Sequence, residues 1–135
     1  MGKKALVYRT TETGIKASVE TFEDYKGMQN FVGGLIERVV IPFSIKGIDY
    51  DVYVNEEGMF SDNDPSMVLY YQGEIHNVIK GNFFISKVDD EGDSVSLTDD
   101  EIMEIREFIA RNTHNFKYKD KNNNEVSRKL FVAHY

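Results

Sequence analysis

Asp51-Val52-Tyr53-Val54-Asn55-Glu56-Glu57-Gly58 reads as an extended strand that runs straight into an acidic turn. Side chains alternate along an extended backbone, so Val52 and Val54 share one face and Asp51 and Tyr53 the other. Two adjacent carboxylates then meet Gly58, a residue suited to the positive φ that closes a turn. Just before this stretch, Phe43 to Ile45 and Ile48 to Val54 are separated only by Lys46-Gly47, the pattern of a hairpin.

Working outward, Lys4 to Arg9 and Ile15 to Glu20 read as strands about the turn cluster Thr10-Thr11-Glu12-Thr13-Gly14. The period then changes. Tyr25, Met28, Val32, Leu35, Ile36 and Val39 fall at helical spacing, which predicts a helix opened by a Thr21/Asp24 capping box and stopped by Pro42. Gly33 and Gly34 lie inside it, each at a cost of about 1 kcal/mol relative to Ala, and close packing against a strand is the expected compensation. Met67 to Tyr71 and Val78 to Val88, the latter broken by Gly81, supply further extended segments. A second helix starts at Thr98, whose partner Glu101 completes a capping box, and it buries Ile102, Ile105, Phe108 and Ile109. Phe116 and Tyr118 face Leu130 to Val132 across a polar tip, the pattern of a terminal hairpin or an ordered arm. The predicted class is α+β: one domain over residues 1–110, mostly antiparallel sheet with two helices packed on one side, followed by a basic extension over residues 111–135.

At 135 residues the chain buries a core without staples, and with no cysteine it has no disulfide framework and no thiolate chemistry. Neither a targeting signal nor a membrane span is read, so the cytoplasm is the expected location. The net charge of −7 disfavours direct binding to nucleic acid. From Arg111 onward six basic residues oppose two acidic ones, a net of +4, so the remainder carries −11.

Several of these segments, taken in order, are Val32-Gly33-Gly34 with Ile36-Glu37, Asn55-Glu56-Glu57-Gly58, Ile79-Lys80-Gly81-Asn82-Phe83, Glu91-Gly92-Asp93 and Leu97-Thr98-Asp99-Asp100-Glu101. This set resembles a family of small bacteriophage and mobile-element proteins known only as a domain of unknown function. Asp62-Asn63-Asp64-Pro65 departs from the Pro-Asn pair that follows the acidic turn in that family, and the segment after Phe108 extends beyond it. The resemblance implies a phage or mobile-element origin, hence the cytoplasm of a bacterial host, and a shared surface without a known activity.

No nucleophile elbow, phosphate-binding loop or dinucleotide fingerprint occurs. Glu56 and Glu57 are neighbours that point apart in a solvated turn, a poor setting for the raised pKa of a general acid. The acidic loops at Asp62-Asn63-Asp64 and Asp89 to Asp93 lack the spaced oxygens of a calcium loop, and His76, His114 and His134 lack metal-ligand spacing. No catalytic residue, metal or cofactor is therefore assigned.

The expected activity is binding a host or defence protein, with nucleic-acid mimicry by carboxylates as one version. Asn55, Glu56, Glu57, Gly58, Gly33, Gly34, Tyr53 and Tyr70 are the candidate contact residues. Asn55 is included because its amide both donates and accepts, and the tyrosines because aromatic rings grip partners. A module that binds or sequesters a small molecule or nucleotide, lined by the same residues, is the alternative. A hydrolase using the turn carboxylates is the third reading. Exposed strand edges keep a homodimer open.

Overall fold

The computed structural model describes residues 2–39, 43–57 and 63–134. Among these residues eleven strands and two helices form two sheets, with buried apolar clusters on both faces of the larger one. The larger sheet has the order β2 (Ile15–Phe22), β1 (Lys3–Thr10), β8 (Phe83–Val88), β5 (Ile48–Asn55), β3 (Ile36–Arg38). Two short strands join it: β4 (Phe43–Ile45) as a hairpin on β5, and β9 (Ser94–Val95) on β8. The smaller sheet runs β10 (Thr113–Lys119), β11 (Glu125–His134), β6 (Pro65–Tyr71), β7 (Glu74–Lys80). Among the described strands the pairings are antiparallel except β11 with β6, where Phe131 to His134 run alongside Met67 to Tyr70.

Alternation in β1, β5 and β8 divides the core. Leu6, Tyr8, Val52, Val54, Phe83 and Ile85 face helix α2 (Asp99–Arg111) and the smaller sheet, meeting Ile102, Ile105, Ile109, Met67 and Phe131. Ala5, Val7 and Phe84 point the other way, onto helix α1 (Tyr25–Val32) through Val32. The expected α+β domain with mainly antiparallel strands is what forms. The two helices, however, cover opposite faces of the larger sheet rather than one side, because its central strands are apolar on both faces and each face needs a cover.

Helix α1 is also shorter than its apolar stripe. Asp24, not Thr21, is the N-cap, accepting the Gly27 N–H at 2.9 Å, and the helix stops at Gly33, whose φ of 85° is left-handed. Leu35 and Ile36 therefore lie beyond the helix, Ile36 in β3. Pro42, the expected stop, lies outside the described residues. Lys46-Gly47, Gly81 and the Asp120–Asn124 tip turn the chain where the sequence predicts.

The second helix matches its reading in detail. Thr98 accepts the Glu101 N–H at 3.1 Å while the Glu101 carboxylate accepts the Thr98 N–H at 2.8 Å. The other Glu101 oxygen accepts from Lys87 Nζ at 2.6 Å and from the buried Tyr50 hydroxyl at 3.2 Å. Burial alone would raise the Glu101 pKa, but the bonds from Lys87 and Thr98 outweigh it and hold the carboxyl below its ordinary 4.5. Burial, with the charge of Glu101, pushes Tyr50 up to about 12.

Residues 113–134 are built into this core. Phe131 packs with Phe43, Phe83 and Phe108 at ring-centroid distances of 6.3, 6.3 and 6.4 Å. Arg128, on the same strand, is only 3% exposed. It donates to the carbonyls of Glu12 at 3.0 Å and Gly14 at 2.9 Å and lies 3.6 Å from Asp64. The Lys129 N–H adds a bond to the Thr13 carbonyl at 2.9 Å, tying the β1–β2 turn to β11.

Phe131→Ala should cost about 3–5 kcal/mol in urea unfolding and preserve a single transition, since the hairpin belongs to the cooperative core. Because the Glu101 pKa is depressed on folding, its contribution is present above the ordinary carboxylate value and lost as pH falls through the folded one. Lys87→Met should therefore flatten the loss of stability below about pH 4.5, measured as urea midpoints across an acid series.

Candidate functional site

A helix of eight residues is too short to be stable alone, and its last turn leaves carbonyls without intrahelical partners. In α1 those carbonyls are taken up by three separate parts of the chain. The N–H groups of Gly33 and Gly34 both donate to the Gln29 carbonyl, at 2.9 and 3.1 Å. Asn55, at the end of β5, donates through Nδ2 to the Val32 carbonyl at 3.1 Å. Asn82, just before β8, donates through its Nδ2 to the Phe31 carbonyl at 3.4 Å, while its oxygen accepts the Thr10 N–H at 3.1 Å.

The same amide of Asn55 shapes the acidic turn. Its Oδ1 accepts the Glu57 N–H at 2.8 Å, and the Glu56 N–H reaches back to the Leu35 carbonyl at 2.8 Å. Gly34 leaves room for this amide: a Cβ there would stand 2.9 Å from Asn55 Nδ2. Gly81, with φ of 92°, makes a matching close approach, since a Cβ on it would stand 3.1 Å from Asn63 Nδ2. The glycines read as interior to a helix thus serve its termination and the seating of an asparagine.

Of the candidate residues, Gly33, Gly34, Asn55, Glu56 and Glu57 come together at this one end of α1; Gly58 lies outside the described residues, as do Met59, Phe60, Ser61 and Asp62. Tyr53 points into the α1 side of the sheet, stacked on Phe84 with centroids 5.1 Å apart and planes 17° apart. Burial, then the charge of nearby Asp51, raises its pKa. Tyr70 belongs to the other sheet, its ring 5.3 Å from that of His134. Asn82 joins the cluster without having been assigned to it; the Gly-Asn pair between two apolar runs was its signal in the sequence.

Chemically the cluster is a brace. Both ends of the Asn55 amide are occupied by backbone, and the amide fills the space over Gly34 that a ligand would need. Glu56 and Glu57 are exposed beside it, and so is Leu35. Among the described residues no group of three or more His, Asp or Glu side chains is placed to hold a metal, and no helix is long and apolar enough to cross a membrane.

These features define a class: a small α+β protein in which this cluster fixes a backbone and the side chains it displays. Residues 4–110 match the family described as Domain of unknown function (DUF3846), and the chain belongs to that family. The matched span takes in every segment of the brace and ends within α2. No curated protein and no solved structure matches the chain.

The brace makes a specific energetic prediction. Asn55→Ala, which strands the Val32 carbonyl and the Glu57 N–H, should destabilise by about 1–3 kcal/mol. Gly34→Ala should destabilise through its clash with the amide. Together the two substitutions should cost less than their sum by about 0.5–3 kcal/mol, since removing the amide makes room for the methyl; a double-mutant cycle from urea melts measures this.

Proposed function

We propose that this protein is a non-enzymatic accessory factor of a bacteriophage or mobile element, acting in the cytoplasm of a bacterial host by binding a host or defence protein. The observation that carries the reading is Leu35. This leucine is 58% exposed, and its own carbonyl is bonded to the Glu56 N–H. An apolar side chain is thereby displayed on backbone hydrogen-bonded to the turn that carries two exposed carboxylates, Glu56 and Glu57, and two residues before a third, Glu37, in β3. A large apolar group on fixed backbone with exposed carboxylates nearby matches a partner with an apolar recess and basic groups beside it. Rigidity favours binding because less side-chain and loop freedom is lost on association. The overall acidity of residues 1–110 adds steering toward a basic surface, including one that otherwise holds nucleic acid.

The test is affinity capture from bacterial lysate with the native chain, Leu35→Arg, and the Glu56→Lys/Glu57→Lys pair. A host protein retained by the native chain should be lost with each variant, while thermal melting of the variants stays close to native. Equal recovery by all three chains, or no specific recovery by the native one, would overturn the assignment.

A further inference from the structure

Strand β2 forms one edge of the larger sheet, and it is eight residues long with unbroken register against β1. The phase of its hydrogen bonds follows from the turn that precedes it. The Thr11 N–H bonds to the Gly14 carbonyl at 2.8 Å, so by antiparallel alternation Lys16, Ser18 and Glu20 turn their backbone groups toward β1. The other edge of β1 agrees with this phase, since Lys4 and Thr10 direct their N–H groups away from β2, to Ser96 and Asn82. Ile15, Ala17, Val19 and Thr21 therefore present their N–H and C=O groups outward, a ready template for another strand.

The side chains select which strand. Lys16 lies directly opposite Arg9, a like charge, and among the described residues it has no ion-pair partner. Arg9 is already engaged with Glu20 at 2.6 Å and Ser18 at 2.8 Å. A second β2 placed antiparallel, with Ser18 opposite Ser18, sets each Lys16 across from Glu20 of the second copy. The same register pairs Ala17 with Val19 of the second copy, twice, on the opposite face. It uses only the outward backbone groups, whereas registers centred on residue 17 or 19 leave Lys16 without a carboxylate. Charge pairs on one face and apolar pairs on the other thus coincide in one alignment.

The α2 side of the edge also lacks a cover. Val19 is 49% exposed and Met103 62% exposed, and both line an open groove of about 490 Å³ with Ile102, Arg106, Glu107 and Ala110. A two-fold axis perpendicular to the sheet brings two such grooves side by side. The other free edges fit a second copy less well. The β6–β7 pairing is interrupted by register shifts, β3 has three residues, and β10 carries Lys117 and Lys119 with no carboxylate.

We propose that the protein forms a two-fold dimer through its β2 edges, with Lys16 of each copy facing Glu20 of the other, joining the two larger sheets into one. The partner is a second copy of this chain, and the interface is separate from the surface around Leu35.

Charge reversal tests it. In Lys16→Glu both cross-strand pairs become acid against acid, and in Glu20→Lys base against base. Each variant should weaken the dimer by about tenfold or more in sedimentation equilibrium. An equimolar mixture of the two variants should form a heterodimer about as tight as the native dimer, because every pair is again of opposite sign. Native mass spectrometry separates that heterodimer by mass, and circular dichroism melts check that each exposed substitution leaves the fold intact. A native chain that stays monomeric throughout the concentration series would overturn the proposal. So would a dimer indifferent to both reversals, or folded variants whose mixture fails to recover it.

Discussion

Strands β1, β5 and β8 are buried on both faces, and the rest of the architecture answers to that constraint. Leu6 and Val7, adjacent in sequence, are both fully buried, yet their side chains point to opposite sides of the sheet. An antiparallel sheet with one wet face needs one cover; this one needs two. On one side the cover is ample, since α2 and the smaller sheet contribute Ile102, Ile105, Met67 and Phe131 together. On the other it is a single helix of two turns, packed over Val7, Phe22 and Phe84.

The thin cover explains why the motif residues gather where they do. A two-turn helix gains little from its own hydrogen bonds, so its position depends on tertiary contacts. Phe31 and Val32 pack inward, and the carbonyls of those same two residues are held by Asn82 and Asn55. Each asparagine ties the helix to a different strand, β8 and β5, which are neighbours in the sheet. Asn82 also bonds the last residue of β1. Helix, three strands and the acidic turn are thereby coupled through two side chains. A ligand-reading role for Asn55 would compete with this work, whereas a role in presenting Leu35, Glu56 and Glu57 depends on it.

How much of this was legible in the sequence follows from the range of the interactions. The start of α2 is legible in the sequence because a capping box is a local device, complete within Thr98 to Glu101. The β4–β5 hairpin was readable for the same reason, its two-residue turn lying between two apolar runs. The end of α1 was misread because Leu35, Ile36 and Val39 continue the helical spacing by coincidence, although Gly33 is a helix stop of the commonest kind. The convergence of Asn55 and Asn82 on that end was not readable at all, since sheet order determines it and the two residues are far apart in the chain. Glu56 and Glu57 read as solvent-facing turn residues for the same local reason, and they are exposed. Tyr53 and Tyr70 share with them only an aromatic type and nearness to turns in the sequence; alternation turns Tyr53 onto the α1 side of the sheet, half-buried against Phe84, and Tyr70 lies in the other sheet.

Arg128 carries the argument about charge one step further. In sequence it counts toward a basic terminal segment set against an acidic body. In the fold it is among the least exposed side chains, its guanidinium spent on two backbone carbonyls of the β1–β2 turn and placed near Asp64. A buried cation with such partners would be costly to strand, so the turn and β11 are expected to move as one unit. The same turn fixes the hydrogen-bond phase of β2 through Thr11 and Gly14. The hairpin at the C-terminal end of the chain thus anchors the loop that sets which backbone groups β2 turns toward solvent.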